Sequence, residues 1–90
     1  MALSSEGKRI RGKAGQIARA RRLARTNGLC ERCLANGEVT LADEVDHIRP
    51  LSLGGHDVDS NTRNLCLRHH HEAKAEQFGH RIAAKPRIDL

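Results

Sequence analysis

A small α+β domain stapled by a metal ion is the fold class this sequence predicts, and three observations predict it. The 90-residue chain has one phenylalanine and neither tryptophan nor tyrosine. Its interior must therefore be thin and aliphatic, and a core of this size supplies only about 3–5 kcal/mol. Two pairs of metal-ligand residues, Cys30-x2-Cys33 and Cys66-x2-His69, flank the middle of the chain. Between them the residues read as strand, loop and strand, with a helical pattern on either side.

The elements follow in order. Residues 1–13 are polar, basic and glycine-containing, the composition of an arm without structure of its own. From Ala14 to Thr26 the apolar positions Ile17, Ala20, Leu23 and Ala24 recur at helical spacing, and Asn27-Gly28 supplies a stop. Cys30 to Cys33 reads as a tight turn and Asn36-Gly37 as a second. Val45 to Ile48 reads as a short strand that Pro50 ends, because proline cannot donate to a ladder. Ser52 to Ser60, with Gly54-Gly55, is a polar loop, and Arg63 to Cys66 returns as a second strand. A helix from Leu67 to Gln77 follows, with Gly79 after Phe78 as its cap. The expected plan is an arm at 1–13, one domain at 14–79 with a basic N-terminal helix, and a tail at 80–90.

Charge is placed unevenly. Residues 1–28 carry eight lysines and arginines against Glu6, whereas residues 29–90 carry eight against ten acids. A positive N-terminal segment beside a nearly neutral remainder predicts a polyanionic partner, with Arg19, Arg21, Arg22 and Arg25 as contacts on the helix. The competing reading is a solvated basic helix. Three cysteines make an odd number and argue against a disulfide framework. Met1-Ala2-Leu3-Ser4 leads into charge instead of an apolar signal segment, and no stretch has the length of a membrane span. The expectation is an intracellular chain with reduced thiols and no membrane partner.

Three thiolates and an imidazole suit tetrahedral zinc, and a closed set of four ligands is structural in type. Such a site contributes on the order of 10 kcal/mol to folding, more than the core can. The alternative, a redox pair at Cys30 and Cys33 beside a buried Cys66 thiol, requires a βαβ setting that is absent. Along the triple histidine, Cys66 and His69 share a helix face while His70 is turned about 100° away. A shift of one residue, with His70 on zinc and His71 on a second ion, stays open.

Asp46-His47, Asn61 and His70, in that order and wrapped in the four zinc-type ligands, resemble the three-part signature of the HNH endonucleases, the ββα-metal nucleases. The likeness runs from Leu29 to Gly79, and Asn61-Thr62-Arg63-Asn64-Leu65-Cys66 is similar to the small zinc-containing phage and prophage members. It implies a ββα-metal, treble-clef-like core. It also implies that His47 is the general base and that Asp46 and His70 hold one divalent cation, Mg²⁺ or Mn²⁺ or else Ni²⁺. Asn61 would tie the inter-strand loop so that His47 is held, and the products would carry a 5′-phosphate and a 3′-hydroxyl. Two positions depart from the commoner family pattern, which has cysteine at His69 and often lysine at Ala73.

The chemistry agrees with the likeness. Hydrolysing a phosphodiester needs a proton acceptor near neutrality, which histidine provides, and charge compensation by a cation with open positions. Lys74, one turn beyond His70, is placed to meet a phosphate, with Arg63 and Arg49 as weaker contacts. Taken singly, each residue has an ordinary structural explanation, and it is their order and company that argue for a site. The function expected is metal-dependent cleavage or nicking of DNA, in phage or prophage DNA processing or packaging, with a terminase as partner, in the cytoplasm of a bacterial host. Two other classes compete: a zinc-stabilised DNA-binding module without chemistry, and an adaptor that docks protein on Ile17 to Leu23.

Overall fold

The computed structural model describes residues 8–83, with side chains through Gln77. Helix α1 spans Gly12–Ala24 and the short helix α2 spans Glu31–Ala35. Strands β1 (Glu44–His47) and β2 (Thr62–Leu65) follow, separated by two 3-10 turns at Leu51–Leu53 and Asp59–Asn61. Helix α3, Leu67–Ala83, completes a ββα unit. Of the expected N-terminal arm, residues 1–7 lie outside the described residues, while Gly12 and Lys13 already belong to α1.

Helix α1 begins and ends two residues earlier than its apolar pattern predicts. Its end is fixed by backbone geometry: Asn27 and Gly28 take φ of 53° and 79°, and the Gly28 amide bonds back to the Leu23 carbonyl at 2.9 Å. That left-handed turn is the stop the Asn-Gly pair encodes. The buried face differs from the predicted one. Ala18 and Arg22 are interior whereas Ile17 is 56% exposed. The helix lies on carboxylates and an amide, so an arginine makes its central contact, Ile17 is left outside and Leu23 is half-buried.

The Cys30–Cys33 segment is the first turn of α2, with the Cys30 side chain as its N-cap accepting from the Cys33 amide at 3.4 Å. The chain then doubles back, and the Cys30 amide donates to Thr40 and that of Ala42 to Gly28, both at 2.8 Å. Strands β1 and β2 pair antiparallel with Glu44 opposite Leu65, Val45 opposite Asn64, Asp46 opposite Arg63 and His47 opposite Thr62. Asp43 caps α3 from across the sheet, accepting from the Leu67 amide at 2.7 Å. Gly79 does not end α3, which continues to Ala83. An isolated glycine costs a helix only about 1 kcal/mol, which neighbouring turns absorb. The expected tail at 80–90 is therefore helical at its start, and residues 84–90 lie outside the described residues.

The interior is as thin as composition requires. Among the described residues its apolar cluster consists of Cys30, Cys33, Leu65, Cys66 and Ala73, three of them thiols. Among the described residues no helix is long and apolar enough to cross a membrane.

Candidate active site and metal centre

The turn before α2 and the first turn of α3 bring Cys30, Cys33, Cys66 and His69 together, with all four ligand atoms within 4.8 Å of one another. His69 Nδ1 lies 3.5 Å from each of the three sulfurs, and the Cys33 and Cys66 sulfurs are 3.8 Å apart. Tetrahedral zinc, with bonds of about 2.3 Å to sulfur and 2.0–2.1 Å to nitrogen, sets ligand separations of roughly 3.8 Å and 3.6 Å. The residues present fit that ion. Burial opposes the Cys30 thiolate, but the Cys33 and Cys66 amides and the His69 ring outweigh it and bring the thiol down to about 6. Glu72 stands 3.8 Å from His69 Nε2, on the side away from the sulfurs.

One residue further along α3, His70 faces the opposite way. Its Nδ1 is buried without a hydrogen-bond partner and lies 3.4 Å from Asp46 Oδ1. An unpartnered ring nitrogen beside an almost wholly buried carboxylate is what a divalent cation would satisfy. Cation ligands at about 2.0–2.2 Å are separated by roughly 3 Å when adjacent, so the pair fits one ion. Asp46 Oδ2 meets Arg63 Nε at 3.3 Å. Asp46 and His70 share a cleft with His47, Lys74 and Gln77. His71, next along the helix, is exposed.

Successive strand side chains point to opposite faces, yet Asp46 and His47 both line this cleft because β1 ends at His47 and the chain turns there. Asn61 holds that turn. Its Oδ1 accepts from the Arg49 amide at 2.9 Å, and its Nδ2 donates to the Arg49 and His56 carbonyls at 3.0 and 2.9 Å. Gly55 lets the loop close this tightly, since a Cβ there would collide with the Arg49 carbonyl and crowd the Asn61 amide.

The basic helix is arranged differently from the expectation. Arg22, expected to contact DNA, is 5% exposed and bound to Asp57 and Asp59 at 2.8 and 2.7 Å. Burial opposes its charge, but the bonds to Asp59 and Asp57 more than compensate. It is a structural cation. Arg21 grips Asp59 with two bonds of 2.7 and 2.8 Å, and these hold the Asp59 carboxyl far below its ordinary range. Arg25 reaches the Asp59 carbonyl and Thr62. Arg19 stays exposed, with one long contact of 3.4 Å to the Asp43 carbonyl. Of the more weakly expected phosphate contacts, Arg63 is turned to Asp46 and Arg49 donates to the Leu53 carbonyl.

Residues 30–76, just over half of the chain, match the HNH endonuclease family model. The chain belongs to the HNH endonuclease family. Its fold is similar to the HNH endonuclease of the deep-sea thermophilic bacteriophage GVE2, whose crystal structure contains a manganese ion. The TM-score is 0.70 at 31% sequence identity, covering 77% of each chain. No curated protein matches the chain. As an HNH endonuclease it is a metal-dependent nuclease, with DNA as the substrate the family implies.

Three residues around His47 in this HNH endonuclease do not stand out by sequence motif. Asp57 accepts from His47 Nε2 at 2.8 Å. Gln77, on α3, donates to the His47 and Ile48 carbonyls, each at 3.0 Å. Arg9 lines the cleft beside Asp46, His47 and His70. For Asp57 the available clue was electrostatic. Asp57 and Asp59 are the only acids between Asp46 and Glu72, and such a pair needs cations from elsewhere, which α1 supplies.

Proposed function

We propose that this nuclease hydrolyses a DNA phosphodiester bond at the cleft between β1 and α3, with His47 as the general base and Asp46 and His70 as ligands to one divalent cation. The observation that carries the reading is the unpartnered His70 Nδ1, 3.4 Å from Asp46 Oδ1, in the cleft that His47 lines. His47 takes the proton from the attacking water. Arg9 and Lys74 bring positive charge to the phosphate from the two walls of the cleft. The bound cation supplies Lewis-acid compensation for charge on the phosphate oxygens. Asn61 and Gln77 hold the backbone around His47, so the base does not swing away as DNA enters. The expected products carry a 5′-phosphate and a 3′-hydroxyl.

A structural zinc at Cys30, Cys33, Cys66 and His69 belongs to the same proposal, as does Mg²⁺, Mn²⁺ or Ni²⁺ at the cleft. Manganese in the GVE2 protein supports the second. A role in phage DNA processing draws on that protein's bacteriophage source, and a terminase partner only on the resemblance in sequence. The rival reading, a DNA-binding module without chemistry, is disfavoured by α1. Its Arg21, Arg22 and Arg25 are bound to this chain's own groups, so the helix is not a free polycation.

The test is relaxation of supercoiled plasmid with Mg²⁺, Mn²⁺ or Ni²⁺, with His47→Ala as control. Wild type is expected to nick, and the variant to lose about 10²–10⁴-fold in rate. A variant as fast as wild type would remove His47 from the role. Binding without nicking under every cation would favour the rival.

A further inference from the structure

We propose that Asp57 is the positioning residue of the general base: its carboxylate fixes the His47 ring through Nε2 and leaves Nδ1 as the atom that takes the proton from water. The inference rests on the nuclease reading above and deepens it.

Three observations support it. The contact is short and nearly dry, at 2.8 Å between side chains 10% and 3% exposed. A carboxylate only accepts, so Nε2 must carry the hydrogen, and in a neutral imidazole that makes Nδ1 the acceptor. The carboxylate is also held on every side. Its Oδ2 accepts from the Ile10 amide at 2.7 Å, and its Oδ1 accepts from Arg22 Nη1 at 2.8 Å as well as from His47. It therefore cannot rotate to release the ring. Burial alone would push the Asp57 carboxyl up, but the bonds from His47, the Ile10 amide and Arg22 hold it at about 2. The acceptor thus stays ionised at neutral pH.

A counter-ion for Arg22 would not require this geometry, because Asp59 already meets that guanidinium at 2.7 Å. The same carboxylate anchors Ile10, and its neighbour Arg9 lines the cleft. Base orientation and the start of the basic segment thus share one support.

Asp57→Asn tests the assignment on zinc-loaded protein. An amide of the same shape can donate as well as accept, which admits the wrong tautomer. The nicking rate at saturating DNA is expected to fall about ten- to a hundred-fold, while DNA affinity in Ca²⁺ and zinc content stay at wild-type values. Nitrogen-15 spectra of wild type should show neutral His47 protonated on Nε2. A variant that nicks at the wild-type rate, with His47→Ala inactive, overturns the positioning role and leaves the nuclease reading standing. Wild type that never nicks overturns both. If the asparagine variant does not fold, the wild-type tautomer decides: protonation on Nδ1 overturns the proposal.

Discussion

Arg22 and Arg19 lie three residues apart on one helix, and the sequence gives them the same task. The structure separates them. Arg22 is interior, clasped by the buried Asp57 and the more exposed Asp59, and removing one partner of a buried ion pair strands the other at a cost of about 3–5 kcal/mol. Arg22→Ala is therefore expected to unfold the protein at much lower urea than wild type, whereas Arg19→Ala should melt normally. A phosphate contact at Arg19 would instead appear as weaker DNA binding, with the salt dependence of log K reduced by about one unit. Nothing in composition distinguishes two arginines on a basic helix. The difference arises from acids 35 and 37 residues further along the chain, which no local pattern links to them. Asp57 also predicts a pH dependence. Its carboxyl titrates near 2 in the folded state and near 3.8 when unperturbed, so the native state holds the proton less tightly. The resulting stabilisation, about 2 kcal/mol, is complete above about pH 5 and lost as pH falls through 2. The stability gap between wild type and Asp57→Asn in denaturant melts should be constant above about pH 5 and narrow below it.

At the scale of elements, the loop between β1 and β2 decides whether the cleft forms. Asn61 stitches it shut and Gly55 makes room for the stitch. Gly55→Ala forces the Arg49 carbonyl to move, an overpacking expected to cost about 1–3 kcal/mol. A folded Gly55→Ala protein should nick more slowly than wild type while retaining its zinc, measured in one plasmid assay with parallel metal analysis. The two strands and α3 were legible because short runs bounded by Pro50 and by ligand spacings leave few other arrangements. The buried face of α1 was not, since Ile17, Ala20 and Leu23 form a helical stripe by pattern alone. That stripe predicts burial against apolar groups, and the partner surface turned out to be carboxylates and Asn64, whose side chain bonds to the Arg22 carbonyl and to Thr26. The extension of α3 past Gly79 was hidden for a related reason. A glycine terminates a helix only where the chain turns left-handed, and residue type alone does not reveal that turn.

For the whole molecule, cohesion depends on the cluster of three sulfurs and one imidazole. Among the described residues the apolar cluster is largely those thiols, so a zinc ion held there would be the main tie of α2 to α3, beside the Arg32–Glu76 ion pair. Stripping metal with a strong chelator should abolish helical circular dichroism and nicking together. Added zinc should restore the helix signal, and nicking should return only when Mg²⁺, Mn²⁺ or Ni²⁺ is also supplied. The ligand spacings made the convergence of these four side chains readable in the sequence. The ionic clamp between α1 and the 57–59 turn, a second tie across the fold, was not, because it joins distant residues through charge alone. The adjacency of His69 and His70 carries one more consequence. Consecutive rings on α3 aim at different surroundings, one among three sulfurs and the other beside the Asp46 carboxylate. From a mixed pool of dissolved cations, the thiophilic chamber and the oxyphilic one would each extract its own, with a single peptide unit as the partition between them.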